Sequence, residues 1–198
     1  MRNLVVVILA AFFATTITPP AQAESFELDS SHAQVGFRVQ HFGVSFLRGW
    51  FGDVTGSMNY SEKLEEMSVE IVIQTSSLIT SFPTRTEHAL SENFLGAEEF
   101  AEIRFTSDKF TQKDDEVWVT GDLTIRGQAQ KVSFPFTTLG PRQGPFGNIR
   151  LGVTGALEID RIKAGIPFDR KMEDGTPLVG TTVEIDLSVE FIRPVSED

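Results

Sequence analysis

The chain has 198 residues, a formal net charge of −11 and no cysteine, and it holds 17 Phe but only one Tyr and two Trp. Its length indicates one domain or at most two small ones, and its hydrophobic content of 40% is too high for a disordered chain. The lack of cysteine excludes disulfide scaffolds, thiolate nucleophiles and zinc-finger or iron–sulfur sites, and the acidic balance disfavours non-specific binding of nucleic acid.

Residues 1–23 have the pattern of a cleaved secretory signal peptide. Arg2 is the only early charge, residues 4–17 are apolar with small residues mixed in, and Ala-Gln-Ala at 21–23 forms a small-x-small cleavage site. A membrane anchor is the weaker alternative, because a spanning helix needs roughly 20 apolar residues. Cleavage would leave a domain at 24–198 and, by removing Arg2, would change the formal charge from −11 to −12. We therefore predict a periplasmic protein, with secretion as the alternative.

Beyond residue 23, apolar and polar residues alternate with a period of two. The alternating segments are 34–40, 67–73, 102–105, 117–126, 131–136, 149–160 and 183–191. A further segment with Gly49, Gly52 and Gly56 predicts one strongly bent strand. Alternation gives each strand one apolar and one polar face, which is typical of an antiparallel sheet. About eight such strands close most simply as an up-and-down barrel, with a sandwich as the alternative.

Two segments depart from this alternation. Residues 84–100 predict a short helical excursion, because Thr84 and Glu87 have the spacing of a capping box and Gly96 is suited to end a helix. Residues 161–182 form a long segment with weak periodicity, and loops of that length are often functional.

Motifs for catalysis are absent from the sequence. It contains no nucleophile elbow, phosphate-binding loop, zinc-protease motif or dinucleotide-binding motif. The three histidines, His32, His41 and His88, could converge with a carboxylate such as Asp29, but their spacing does not require a metal site, and hydrogen-bonded structural histidines are favoured. We therefore predict no enzyme activity, no catalytic residue, no metal and no cofactor.

The inward strand positions favour apolar chemistry. An eight-stranded barrel is near the size at which the interior is either filled by side chains or holds one ligand. The inward positions carry Val, Ile, Leu and Phe and almost no charge, so a cavity among them would select a long apolar ligand. The alternation alone leaves the filled core and the ligand cavity equally open.

Several stretches together carry a resemblance to a known family. They are Asp-Ser-Ser-His at 29–32, Val-Gly-Phe-Arg-Val-Gln-His-Phe-Gly at 35–43, Arg85-x-x-His88 followed by Asn93-Phe94, Gly-Asp-Leu-Thr-Ile-Arg-Gly at 121–127, and Ile-Asp-Arg at 159–161. In this order and spacing the chain resembles the YceI-like family of exported, polyisoprenoid-binding proteins over about residues 26–191. The resemblance implies an eight-stranded lipocalin-like barrel with a helix near one end, and an elongated cavity for an isoprenoid chain or a related amphiphile.

This resemblance favours the ligand cavity over the filled core and gives the inward residues hypothetical roles. Residues expected to line the cavity are Phe37, Val39, Phe51, Val69, Ile71, Phe105, Val119, Leu123, Phe134, Leu151, Val153, Ile185 and Leu187, with ordinary core packing as the alternative. Residues expected to form a gate are Phe82, Leu90 and Phe94, with a helix packed on the barrel as the alternative. Residues expected to meet a polar headgroup are His41, Arg85, His88 and Arg161, with structural ion pairs as the alternative.

The sequence thus predicts an exported, non-catalytic protein that binds, transports or stores a long-chain isoprenoid or related amphiphilic lipid, such as an isoprenoid quinone. The lipid is the expected partner, and nucleic acid and a permanent membrane anchor are not expected. Some members of the family look dimeric, so the resemblance also allows a homodimer. One alternative is a stress-linked structural or interaction protein with a filled core. The other is an enzyme on a barrel scaffold, which requires a charged cluster inside the cavity.

Overall fold

The computed structural model describes residues 23–195, so the predicted signal peptide lies outside it except for its last residue. Within this range the chain forms ten strands and one short α-helix. They are β1 (Glu24–His41), β2 (Ser45–Phe51), β3 (Val54–Tyr60), β4 (Ser68–Gln74), β5 (Leu78–Thr80), α1 (Pro83–Leu90), β6 (Glu102–Lys113), β7 (Glu116–Ile125), β8 (Gln128–Gln143), β9 (Asn148–Asp160) and β10 (Val179–Pro194). No helix within residues 23–195 has the length and apolar character to cross a membrane.

Eight of the strands close into an antiparallel barrel, which confirms the fold predicted from the alternation. Their order around the ring is β1, β3, β4, β6, β7, β8, β9 and β10, and β10 pairs with β1 to close it. The 18-residue strand β1 has two partners on its other edge: β3 along Glu24–Glu27 and β2 along Val35–His41. Strand β5 pairs with β2 and extends the wall at that end of the barrel.

The glycine-rich segment is two strands, which corrects the prediction of one bent strand. Gly52 and Asp53 separate β2 from β3, and the two strands pair with opposite ends of β1. A Cβ on Gly49 would lie 2.8 Å from the Phe37 ring, and one on Gly56 would lie 2.3 Å from the backbone oxygen of Glu70. These glycines therefore permit close approach of neighbouring atoms.

Helix α1 begins one residue before the predicted start. Pro83 occupies its first turn, Phe82 is the N-cap residue with extended backbone, and no side chain caps the helix. The predicted capping box of Thr84 and Glu87 therefore does not form. Proline suits the first helical position because the backbone N–H that it lacks would have no partner within the helix. The helix ends at Leu90, and turns rather than helix lead on to Gly96.

The two ends of the barrel carry different connections. At one end the strands are joined by residues 61–67, 114–115 and 144–147. At the other end, which we call the mouth, lie the turn at 42–44, the excursion from Thr75 to Ala101 and the loop at 161–178. The longer segments are therefore concentrated at the mouth.

Candidate functional site

The interior next to the short connections is solid, and we call it the filled half. Its most deeply buried large side chains, each less than 2% exposed, are Phe26, Met58, Val119, Leu151 and Phe191. They come from five different strands and belong to one continuous hydrophobic cluster. This part of the barrel corresponds to the filled-core alternative.

The interior next to the mouth is a cavity, and we call it the hollow half. Its volume is about 1080 Å³, at the upper limit of the roughly 300–1,000 Å³ typical of small-molecule sites. Aliphatic and aromatic side chains from the barrel strands form most of its wall, and α1 and the loop at 161–178 supply the part nearest the mouth. The cavity can therefore hold a long apolar chain along the barrel axis.

The structure places most of the predicted site residues on this wall. They are Phe37, Val39, His41, Phe51, Ile71, Arg85, His88, Phe94, Phe105, Leu123, Phe134, Arg161, Ile185 and Leu187. For the residues on strands, this common position follows from the period of two, because every strand of the barrel presents its apolar face inward. Arg85, His88, Phe94 and Arg161 reach the wall from α1 and from the mouth segments instead. That they contact a ligand remains a prediction.

Six predicted site residues lie elsewhere. Val69, Val119, Leu151 and Val153 point inward as expected, but they belong to the hydrophobic core rather than to the cavity wall. These four residues lie further along their strands toward the filled half, where side chains from opposite walls of the barrel are in contact.

The two remaining corrections concern the predicted gate. Phe82 is 61% exposed and lies under the guanidinium of Arg85, at 5.0 Å from the ring centroid, so it faces solvent. Leu90 packs against the core cluster from the end of α1 and does not line the cavity. Of the three predicted gate residues, Phe94 alone lies on the wall.

The wall also contains residues that the sequence analysis did not select. They are Val35, Leu47, Arg48, Ile73, Ile103, Ile125, Leu157, Ile159, Ile166, Pro167, Phe168, Asp169, Arg170, Leu178, Val179 and Val183, among others. The strand residues Ile103, Ile125 and Val183 are in phase with selected neighbours, so extending the alternation to the strand ends would have found them. The group at 166–170 lies in the long loop that was noted as unusual, but no local pattern indicates that it folds over the barrel.

Three aromatic rings lie together at the mouth. The rings of Phe94 and Phe168 stack with centroids 4.7 Å apart, and the His88 ring meets Phe94 edge-on at 4.9 Å. Phe168 comes from the loop at 161–178, whereas His88 and Phe94 come from the excursion after β5. Contacts of this kind contribute about 0.5–1.5 kcal/mol beyond area burial, so they link the two long mouth segments to each other.

Arg161 is the buried cation of the site and is only 2% exposed. Its Nε donates to the Gly180 oxygen at 2.7 Å, its Nη1 to the Phe168 oxygen at 2.5 Å and its Nη2 to the Val179 oxygen at 2.8 Å. Burial lowers the pKa of its guanidinium, and the carboxylates of Asp169 and Asp160 oppose that shift. The carbonyl partners hold the loop against β10 but carry no full negative charge, so the positive charge of Arg161 is neutralised only from a distance.

Charged groups on the cavity wall are mostly positive. Four arginines, Arg48, Arg85, Arg161 and Arg170, line the cavity, and Asp169 supplies the one carboxylate among the described residues of its wall. This local excess contrasts with the net charge of −11 of the whole chain. The cavity thus combines an apolar interior with a mouth that favours an anion or a strong hydrogen-bond acceptor.

The three histidines do not converge on one site. His41 and His88 lie on the cavity wall, whereas His32 lies outside the cavity and contacts Asp29 through Nδ1 at 2.9 Å. Among the described residues the expectation of a hydrogen-bonded histidine fits His32, whereas the His41 ring stacks on Phe42 at 3.8 Å and the His88 ring meets Phe94.

The surroundings of Asp29 form a compact ionic cluster on the outside of the filled half. Asp29, His32 and Glu190 have ligand atoms within 4.8 Å of one another, but the Arg150 guanidinium donates to Asp29 at 3.1 Å and to Glu190 at 2.5 Å. Ser31 contacts the same His32 nitrogen that contacts Asp29, so the three groups do not form a relay for proton transfer. Hydrogen bonds from Ser31, His32 and Arg150 lower the pKa of Asp29 to about 2.

Comparison with known families and proteins agrees with this architecture. The model of the YceI-like domain matches residues 26–191. A UPF0312 protein of Shewanella denitrificans is 31% identical over 185 residues, which cover 91% of this chain and 94% of that protein. Protein YceI of Salmonella arizonae is 33% identical over 152 residues, which cover 76% of this chain and 80% of that protein.

Solved structures share the fold. BcnA of Burkholderia cenocepacia superposes with a TM-score of 0.71 at 19% identity, covering 82% of this chain and 98% of that one. A polyisoprenoid binding domain from Saccharophagus degradans superposes with a TM-score of 0.64 at 14% identity, covering 85% of this chain and 98% of that one. At these identities the similarity establishes the barrel fold alone.

Proposed function

The chain belongs to the YceI-like family, and on that premise we propose that it binds a long-chain isoprenoid or a related amphiphilic lipid. The tail would lie in the hollow half and the headgroup would lie at the mouth. The observation that carries this proposal is the apolar cavity of about 1080 Å³ with Arg161 buried beside its opening. The polyisoprenoid binding domain from Saccharophagus degradans has the same fold, which supports the choice of an isoprenoid chain.

The apolar wall of the cavity favours an apolar occupant. The cavity opens to solvent at the mouth, so its wall is accessible to water when no ligand is bound. An apolar chain that takes the place of this water gains roughly 25 cal/mol for each Å² that it removes from water.

The mouth supports a headgroup that accepts hydrogen bonds. A guanidinium has five N–H donors, and three backbone acceptors hold Arg161 at its site. Arg85 and His88 lie on the same wall from α1. A phosphate, carboxylate or quinone oxygen placed there would meet donors from both long mouth segments.

The residues of the cavity wall suit a binding protein better than they suit an enzyme. Among the described residues of the cavity wall, the titratable groups stand toward the mouth, and none of them is a nucleophile hydrogen-bonded to a base. The signal-like residues 1–23 support export, so we propose a periplasmic carrier or store for lipid. Its partner in this proposal is the lipid itself.

Native mass spectrometry and organic extraction of gently purified protein test the proposal. We expect a bound amphiphile with a long apolar tail and an acceptor-bearing headgroup. The variant Leu123→Glu places a charge on the cavity wall and should abolish the bound mass, and Leu123→Trp should reduce occupancy by filling space while keeping the wall apolar. The matched control Thr124→Glu puts the same charge on the opposite face of β7 and should retain the lipid.

Two results would contradict the proposal. One is a wild-type protein that repeatedly carries no lipid and takes up none from detergent-dispersed isoprenoid. The other is a folded Leu123→Trp variant with the same lipid stoichiometry as wild type, because that ligand would lie outside the hollow half.

A further inference from the structure

Large apolar side chains are exposed beside the mouth, and we call this set the mouth patch. It consists of Phe42, Val44, Phe46, Trp50, Ile79 and Phe82. Val44 at the tip of the β1–β2 turn is 84% exposed and Phe82 before α1 is 61% exposed. Trp50 and Ile79 pair across β2 and β5, so the patch extends from the turn onto the outer face of these strands. Contiguous exposed apolar surface of this kind marks interaction sites.

The turn that carries the patch has an unfavourable residue at its tip. Phe42 has φ 54° and Gly43 has φ 73°, and the Val44 nitrogen donates to the His41 oxygen at 3.1 Å. Tight hairpin turns with two positive φ values prefer Asn-Gly, because bulky residues are strained in the left-handed region. The chain thus keeps an aromatic ring at a position where folding favours a small polar residue, and strain of this kind clusters at functional sites.

The charge around the mouth patch is also unusual. Residues 30–52 and 71–86 contain neither Asp nor Glu, although the chain has 28 acidic residues. Arg48 lies between Phe46 and Trp50 on β2, and the Arg85 guanidinium covers the Phe82 ring at 5.0 Å. On the outer face the carboxylates of Glu184 and Asp186 come from β10, beyond β1, and Glu184 pairs with Arg38, whose guanidinium covers the Phe46 ring. The side of the patch nearest the cavity, with Arg48 and Arg85, is therefore the side that is complementary to an anionic surface.

The mouth patch is continuous with the cavity. Phe42 belongs to the patch and also lines the cavity. Arg48 on β2 and Arg85 on α1 lie next to residues of the patch and line the cavity as well. A surface that covers the patch would therefore also face the entrance that a lipid tail must use.

We propose that the mouth patch docks on an anionic lipid bilayer, so that a lipid tail passes between bilayer and cavity without crossing water. This inference rests on the proposed lipid-binding function. A second copy of the chain is the competing occupant of an exposed apolar patch, and sedimentation velocity distinguishes it from a bilayer. A bilayer instead solvates the apolar side chains and pairs the arginines with phosphate groups.

Vesicle flotation tests the docking surface. Wild-type protein should float with vesicles of phosphatidylethanolamine and phosphatidylglycerol, more weakly with phosphatidylcholine alone, and less as salt increases. Val44→Asp and Phe82→Asp should each weaken binding at least about tenfold, since each removes an apolar side chain that the bilayer would bury and adds a charge of the same sign as the lipid. The matched control Phe146→Asp alters a residue that is 83% exposed at the opposite end of the barrel and should bind like wild type.

The outcomes separate docking from lipid binding. Leu123→Glu should lose its bound lipid yet still float, and Val44→Asp should keep its lipid in native mass spectrometry yet not float. The proposal is overturned if wild type does not float, if Val44→Asp floats like wild type, or if phosphatidylcholine binds equally well. It is also overturned if sedimentation velocity shows that Val44→Asp converts a dimer into a monomer without affecting flotation.

Discussion

The filled half and the hollow half of the barrel are made by the same strands but differ in what side chains meet across the interior. On β7, Val119 is fully buried in the core, whereas Leu123, four residues along the same face, lines the cavity. On β9 and β10, Leu151 is likewise in the core and Leu187 is on the cavity wall. The barrel therefore separates its functions along its axis: one half stabilises the fold and the other provides space for a ligand.

Substituting one leucine in each half should produce the largest difference between them. Leu151→Ala removes a fully buried side chain and should lower the free energy of unfolding by about 3–5 kcal/mol. Leu187→Ala only enlarges an existing cavity and should cost about 1 kcal/mol in lipid-free protein, because fewer packed atoms lose partners. Urea unfolding of both variants in delipidated protein measures the difference.

Measuring the two variants with and without bound lipid extends the comparison. Bound lipid should stabilise wild type by mass action and should make Leu187→Ala more sensitive to lipid removal than Leu151→Ala. Equal losses of stability for the two variants in lipid-free protein would mean that the hollow half is packed in solution.

Periodicity predicted the fold well because it depends on which face each residue occupies. Alternation assigned Val119, Leu123, Leu151 and Leu187 to the interior, and all four point there. It could not tell the halves apart, since packing depends on which side chains oppose one another across the barrel. Register between distant strands and close approaches such as that of Gly49 to the Phe37 ring decide this, and neither is visible along one strand.

The mouth was harder to predict because its residues come from segments without a period. Arg161 was chosen through the family resemblance, but its three carbonyl acceptors depend on how the loop returns to β10. Phe168 was missed because it joins Phe94 only after two long segments fold together. Helix α1 starts at Pro83 because proline suits the first helical position, so the predicted capping box of Thr84 and Glu87 does not form.

An acidic pH should weaken the ionic cluster around Asp29 on the outside of the filled half. The pKa of Asp29 is about 2 in the folded chain against an ordinary value near 3.8, so its ionised form contributes stability that is present above pH 4 and is lost as the pH falls toward 2. Asp29→Asn should therefore cost about 1 kcal/mol at pH 7, because solvent screens an ion pair this close to the surface. Thermal unfolding between pH 7 and 2 should show the gap between wild type and variant closing only below about pH 4. A constant gap between wild type and Asp29→Asn across the whole pH range would show that this carboxylate does not stabilise the fold through its charge.

The smallest expected effect compares one turn at each end of the barrel. Phe42 at the mouth has a φ value of 54°, and Asp114 in a short connection at the opposite end has a φ value of 50°. Phe42→Gly should raise the free energy of unfolding by up to about 1 kcal/mol, because glycine adopts this conformation without strain. Asp114→Gly should change it by less, since Asp tolerates the left-handed region better than a bulky residue does.

These two turns differ in what the strained residue does for the molecule. Phe42 belongs to the mouth patch and lines the cavity, so Phe42→Gly should gain stability and lose vesicle binding together, whereas Asp114→Gly should bind vesicles like wild type. Chemical denaturation and flotation of the same preparations measure both properties. A Phe42→Gly variant that is less stable than wild type would assign the ring to packing, and one that floats normally would remove it from the docking surface. If Phe42 is retained for function although it strains its turn, Phe42→Gly must raise the free energy of unfolding and lower vesicle binding at the same time.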